Sequence, residues 1–501
     1  MITHAPILPI LIPFAAALLQ IACDRPTFQR IVGLSAAALL IVATSWLAWL
    51  ADDGRLHVYA LGDWPAPFGI VLVVDRLAAA MTVLTAVLGF ACLLYASAGF
   101  DQRGRHFQPL FQLQLFGVLG AFLTGDLFNL FVFFEVMLLA SYTLLAHGGG
   151  IRRTRAGIAY VVLNLVGSAF FLVALGLLYG TLGTLNLAHM ANRLALPGYD
   201  QALARLAFAL LIAVFALKAG LLPLSFWLPH TYAAAGAPVA ALFAIMTKVG
   251  IIAILRLHAV ALAPAMPDLL DHWLTTLALA TVVFAALGTL ATTRLRTLAA
   301  WLILLSAGTL LLAPGQASPG IAAAALYYLL HSTVCGAAFF LLAGVIAEQR
   351  GDAADHLTGR SASTAGWVRL AFLVAAATAA GLPPFSGFLG KLMLLTTLRD
   401  VPAGPAIWAV LLGASFVVLI VLARDGSELL WKGPLAAAKP HVVTWQKVTA
   451  TLLLVAGGPL LALFARPLAD YAERAAVQLY ASEAYVAGIL GRPPSRREPG
   501  Q

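Results

Sequence analysis

The chain alternates long apolar runs with short polar breaks. A helix needs about 20 apolar residues to cross a bilayer. Runs of that order recur near 5–22, 31–51, 76–98, 107–124, 127–147, 156–180, 203–233, 237–262, 273–291, 297–313, 319–347, 366–398, 404–423 and 448–465, which makes fourteen spans. The runs at 203–233 and 366–398 are long and carry Pro223 and Pro229, and Pro383 and Pro384; Pro238 follows at the start of the next run. Proline lacks the backbone donor and clashes with the preceding turn, so these prolines predict broken helices. The pattern predicts an all-α polytopic membrane protein with about 14 transmembrane helices. Residues 467–490 predict an amphipathic helix along the interface, and 491–501 a disordered tail.

An internal repeat emerges from the same runs. AGLLPLS (219–225) aligns with AGLPPFS (380–386), and GSAFFL (167–172) with GAAFFL (336–341), at offsets of 161 and 169 residues. The expected organisation is three helices over 1–106, a first repeat of five spans over 107–262, a second over 273–423, and a last helix with the tail over 424–501. Five is odd, so consecutive copies insert upside down relative to each other. That is the inverted-repeat plan of transporters, in which paired broken helices mark the transport site.

Composition sharpens the class. The 501 residues are 62% hydrophobic and 10% charged, against about 25% charged in soluble domains. The net charge of +9 is not a nucleic-acid signal, because the basic residues sit mostly in alternate short loops. One set of loops holds Arg25 and Arg30, Arg103 and Arg105, Arg152, Arg153 and Arg155, Arg294 and Arg296, Arg350 and Arg360, then Arg424, Lys432, Lys439 and Lys447; the other holds little beyond Arg55, Arg193 and Arg399. The richer set is expected to face the cytoplasm, which places both termini outside; the basic tail (Arg492, Arg496, Arg497) runs against this. Cys23, Cys92 and Cys335 show no metal or disulfide spacing. The first run lacks a basic leader and cleavage site and reads as a spanning helix. No P-loop, G-x-S-x-G, HExxH or dinucleotide fingerprint occurs, and no metal or cofactor site is expected. The chain is therefore not expected to be an enzyme.

The candidate chemistry lies inside the spans. Glu135 sits mid-run, nine residues after Asp126. A lone carboxylate there is either protonated or paired with a cation. Lys218 precedes the first break, Lys248 is thirty residues on, and Lys391 follows the second break at GLPPFSGFLG. Only six of the 30 basic residues are lysines, and three of those six are in spans. Arg keeps its proton, whereas a buried Lys can release one, so lysine in a span suits proton transfer. His331 in LYYLLHSTVCGAAFF has the side chain whose free pKa is nearest neutrality, with Ser332 and Thr333 beside it. The predicted path is Glu135, Lys218, Lys248, His331, Lys391, with a switchable Glu135–Lys218 ion pair at its start. The blander readings are a fixed ion pair at Glu135 and a satisfied core histidine at His331. His230 and His258 read as helix-end histidines.

FFEVMLLASYTLLAH, LKAGLLPLSFWLPHTYAAAGAPVAALFAIMTKVGIIAILRL and GLPPFSGFLGKL resemble the antiporter-like membrane subunits shared by complex I and the Mrp-type multisubunit cation/proton antiporters, and among these the D-type component of the Mrp antiporters. The similarity runs from about residue 70 to 465. It implies fourteen helices with two inverted five-helix repeats, broken seventh and twelfth helices, and a midplane proton path. Glu135 would match the family's fifth-helix glutamate, Lys218 the seventh-helix lysine, Lys248 the eighth-helix lysine and Lys391 the twelfth-helix residue, which is Lys or Glu among relatives. It further implies exchange of protons for Na⁺ or another monovalent cation, other membrane subunits as partners, and the cytoplasmic (inner) membrane of a bacterium. The chain ends too soon for the long lateral helix of the longest complex I type. The rivals are the same fold in a redox-driven complex such as NADH:quinone oxidoreductase or a membrane-bound hydrogenase, a self-contained organic-solute carrier, and a structural scaffold.

Overall fold

The apolar runs fold as helices in the order the pattern gives. The computed structural model describes residues 2–270, 273–351, 354–357, 364–431 and 442–491. Arg360, Lys432, Lys439 and the tail with Arg492, Arg496 and Arg497 lie outside the described residues.

The first helices are α1 (Leu8–Ala22), α2 (Pro26–Ala51), α3 (Arg76–Ala96), α4 (Phe107–Leu123), α5 (Leu127–Ala146) and α6 (Ile151–Leu182). The short α7 (Leu187–Leu194) then leads into α8 (Gln201–Ala219), α9 (Trp227–Ala234), α10 (Ala237–Leu257) and the single turn α11 (Ala263–Ala265). The second half comprises α12 (Trp273–Leu290), α13 (Leu295–Leu310), α14 (Pro319–Arg350), α15 (Gly366–Ala380), α16 (Ser386–Thr397) and α17 (Gly404–Gly426), followed by α18 (Trp445–Leu463), α19 (Ala465–Tyr480) and α20 (Ser482–Leu490). Among the described residues eleven helical stretches are long and apolar enough to cross a membrane, and α4, α13 and α15 are shorter apolar helices. Among the described residues one hairpin breaks the all-helical pattern: β1 (His57–Ala60) pairs antiparallel with β2 (Val71–Val74). Val71–Val74 is fully buried, as suits a short β-branched strand.

Both predicted breaks occur, and they are built alike. α8 ends at Gly220 (φ +82°) and α15 at Gly381 (φ +81°), a left-handed conformation that glycine adopts without a Cβ penalty. In each case the next residue's amide reaches back five residues, Leu221 N to Ala216 O at 2.9 Å and Leu382 N to Ala377 O at 3.0 Å. These are Schellman closures, which satisfy the last carbonyls of a helix. Pro223, Pro383 and Pro384 lie in the turns that follow. Pro229 does not: it sits in the first turn of α9, where its missing N–H has no intrahelical partner to lose. Pro238 likewise starts α10 rather than interrupting it.

The centre of the bundle is the pair α10 and α14, which pack on each other and are buried along nearly their whole length. The periphery is apolar but exposed. On α6, Val162, Leu165, Val166, Phe170 and Val173 face out while Asn164, Gly167, Ser168 and Phe171 face in. That inversion of the soluble pattern is what a lipid-facing helix requires. The stretch expected as one interfacial helix over 467–490 forms two, α19 and α20; α19 buries Ala472, Ala475, Ala476 and Leu479 and packs on α3 and α14.

Candidate functional site

A charged side chain in a bilayer-length helix costs about 2.5–3.5 kcal/mol on insertion scales and normally faces protein or water. The predicted residues obey this. Lys218, Lys248 and His331 are 5%, 0% and 3% exposed; Glu135 and Lys391 are part-buried. The five lie on α5, α8, α10, α14 and α16, successive members of one packed row in which α6 bridges α5 to α8 and α13 touches both α10 and α14.

Each group is held by a neutral polar partner on another element. The Ser168 hydroxyl donates to Glu135 Oε1 in a short hydrogen bond. Lys218 Nζ donates to Asn164 Oδ1 at 3.0 Å. Asn164 and Ser168 are four residues apart, on one face of α6. Lys248 Nζ donates to Ser306 Oγ of α13 at 3.0 Å, and Ser306 directs its own proton to Ile303 O at 2.7 Å. His331 Nδ1 lies 3.0 Å from Ser386 Oγ at the start of α16. Lys391 Nζ turns back on the second break, donating to Ala380 O at 3.0 Å and Ala379 O at 3.3 Å. Those carbonyls end α15, where a cation complements the helix dipole.

Two close approaches set this geometry. A Cβ on Gly250 would lie 2.8 Å from Phe215 O and 3.3 Å from Lys218 Cβ, so this glycine seats α10 against α8 beside Lys218. A Cβ on Gly387 would lie 2.0 Å from Thr378 O and 2.9 Å from His331 Cε1, so only glycine lets the imidazole reach the start of α16.

The structure departs from the sequence expectation in detail. Glu135 and Lys218 do not form an ion pair within 4 Å; the carboxylate and the ammonium are linked through α6 instead. Ser332 and Thr333 do not support His331, because both hydroxyls donate to Leu329 O of their own helix. Sequence reasoning also passed over Asn164, Ser168, Ser306 and Ser386. Their signal was present: isolated polar residues in apolar helices, Asn164 and Ser168 at i and i+4. His258 is buried at the end of α10 and His230 is exposed on α9. A further buried pair was missed: Arg256, two turns beyond Lys248 on α10, donates to Asp75 Oδ1 at 2.9 Å, and Asp75 also caps α3 through Ala78 N. Asp126 caps α5 through Asn129 N at 2.9 Å; burial pushes its carboxyl above the usual range, although that amide pulls the other way.

Residues 124–419 match a family described as "NADH:quinone oxidoreductase/Mrp antiporter, TM". The chain is 39% identical to the D component of a probable K(+)/H(+) antiporter of Rhizobium meliloti (strain 1021), across 98% of each chain. It is 34% identical to the D component of the Na(+)/H(+) antiporter of Bacillus subtilis (strain 168), across 97% of this chain and 99% of the relative. Its fold matches a chain in the structure of the Mrp complex from Dietzia sp. DQ12-45-1b with a TM-score of 0.88 and 27% identity, over 98% and 99% of the two chains. It also matches a chain of respiratory complex I from Thermus thermophilus at 0.79 and 26% identity, over 96% and 100%.

Proposed function

Since this chain belongs to the NADH:quinone oxidoreductase/Mrp antiporter transmembrane family, we propose that it is the proton-translocating membrane subunit of a multisubunit monovalent cation/proton antiporter. The observation that carries the reading is the buried row of Glu135, Lys218, Lys248, His331 and Lys391, each hydrogen-bonded to a polar group of a neighbouring element. A scaffold has no use for such a row, since apolar packing is usually at least as stable as buried charge. The chain works within a membrane assembly, as its structural relatives are parts of multisubunit membrane complexes. It resides in a bacterial cytoplasmic membrane.

In the proposed mechanism a proton enters at Glu135 and Lys218, passes through Lys248, and leaves by way of His331 and Lys391, with water bridging the stations. Ser168, Asn164, Ser306 and Ser386 hold each group in place between transfers. Moving a charge at one station changes the proton affinity of the next. Na⁺ or K⁺ moves the other way, and the existing gradient supplies the energy; the relatives' names support either cation.

The test compares cation-dependent proton flux in everted vesicles carrying the full operon with Lys218→Ala and Glu135→Ala versions. The proposal expects flux to vanish while assembly stays intact. Full flux in both variants makes the buried charges structural. A second reading places the same fold in a redox-driven complex, supported by the likeness to complex I. It takes over if the vesicles show no cation-dependent flux but oxidise an electron donor.

A further inference from the structure

Four of the loops rich in Arg and Lys converge on one cavity. It has a volume of about 390 Å³ and is lined by Arg103, Arg153, Arg296 and Lys447, with Glu348 as the carboxylate in its wall. Glu348 is already engaged, accepting from Lys447 Nζ at 2.6 Å. Among the described residues the three guanidinium groups lack so close a carboxylate. Arg103 lies over the Phe100 ring at 5.4 Å and, among the described residues, forms no ion pair. Arg153 donates to three backbone carbonyls, His147 O, Gly149 O and Ala234 O. Arg296 Nε is buried and, among the described residues, makes no hydrogen bond. A carboxylate oxygen, Asp355 Oδ2, is 3.8 Å from it and already accepts from the Arg296 backbone N–H. Arg103, Arg152 and Arg296 all lie within repulsive range of Arg153.

A second feature points the same way. The first turns of α6, α10, α13 and α18 supply wall residues: Arg153, Ala237, Arg296 and Lys447. None of the four helices carries an acidic residue in its first turn or a side-chain cap from its N-cap residue. A helix N-terminus is positive and favours acidic side chains or anions. Here three of the four first turns place a cation instead. The start of α13 is met by Asp355 Oδ2, which leaves α6, α10 and α18 without a side-chain cap from the N-cap residue. These starts and guanidinium groups without a close carboxylate are satisfied by one kind of occupant, a compact multivalent anion with several acceptor oxygens.

We propose that this cavity is a binding site for a phosphate-bearing anion, held by Arg103, Arg153 and Arg296 beside the starts of α6, α10 and α18. Such an anion would join segments flanking both central helices, α10 and α14, at the end facing the basic loops. Phosphate in this position has two sources, the free ion and the headgroup of an anionic lipid, and both present the same oxygens.

The test uses the assembled antiporter complex and inorganic phosphate as the probe, titrated calorimetrically at constant ionic strength in detergent. Saturable binding is expected, weakened at least tenfold in Arg103→Gln and in Arg296→Gln and retained in Arg103→Lys. Repeating the titration in nanodiscs separates the sources. If phosphatidylglycerol suppresses phosphate binding tenfold relative to phosphatidylcholine, the headgroup is the occupant; equal binding in both assigns the free ion. Absence of saturable binding in the unmodified complex overturns the proposal, as does unchanged affinity in whichever of the two glutamine variants assembles.

Discussion

Lys248→Met separates a transport role from a structural one, because the two predict opposite changes in stability. Lys248 is fully buried, and among the described residues its hydrogen bond runs to Ser306. Replacing the ammonium by an apolar side chain of similar length removes a membrane-insertion cost of about 2.5–3.5 kcal/mol. It also removes one hydrogen bond to a charged group, typically about 1.5–3 kcal/mol. Ser306 is not orphaned, since it donates to Ile303 O. The balance runs from about 0.5 kcal/mol against the variant to about 2 kcal/mol in its favour. The complex should therefore assemble normally and melt at nearly the same temperature or higher. Cation-dependent proton flux in everted vesicles should fall at least tenfold. A lysine that fixes helix packing would behave differently: breaking its contact would cost about 3–5 kcal/mol, lower the melting temperature and reduce assembly. Full flux in a stable Lys248→Met complex would falsify the transport role, and loss of the complex would show the lysine to be structural.

Other substitutions probe the supporting geometry. Ser168→Ala removes the donor to Glu135 and should lower flux about tenfold, corresponding to about 1.4 kcal/mol, without changing assembly on native gels. Gly387→Ala puts a methyl group against Thr378 O and His331; it should destabilise by about 1–3 kcal/mol and lower both melting temperature and flux. Asp75→Ala strands Arg256 and should cost about 3–5 kcal/mol, while adding Arg256→Met should recover most of the loss in a thermal melt. Asp126→Asn keeps the α5 cap but removes a carboxyl held above its free value. The folded form keeps that proton after the unfolded chain loses it, so the penalty grows as pH rises above about 4. The asparagine variant should gain more melting temperature at pH 7.5 than at pH 4.5.

Much of the fold was legible because a spanning helix announces itself by length and composition alone. Every predicted run corresponds to a helix or broken helix, and even the two breaks were readable from Pro223, Pro383 and Pro384. The hairpin at 57–74 and the short α7 were not, since four apolar residues of a strand carry little signal beside twenty of a helix. In the site, the charged residues stood out because charge in an apolar run is rare. Their partners did not. Serine and asparagine are common enough in such helices that only three-dimensional packing picks out Ser306 or Ser386 from Ser332. The Glu135–Lys218 pair illustrates the limit: opposite charges on neighbouring helices suggest a direct bond, but α6 offers each a neutral partner instead.

That shared partner helix has a mechanical consequence. Glu135 and Lys218 take their partners from one rigid element, so neither can be released alone by moving α6. Successive residues turn by about 100° around a helix axis; a roll of that size carries Asn164 and Ser168 away together. The opposite side of the same helix presents Val162, Val166 and Phe170 outward. Whatever grips that outer side, whether acyl chain, neighbouring protein or hydrophobic inhibitor, has leverage on the carboxylate and the ammonium at once without entering the interior.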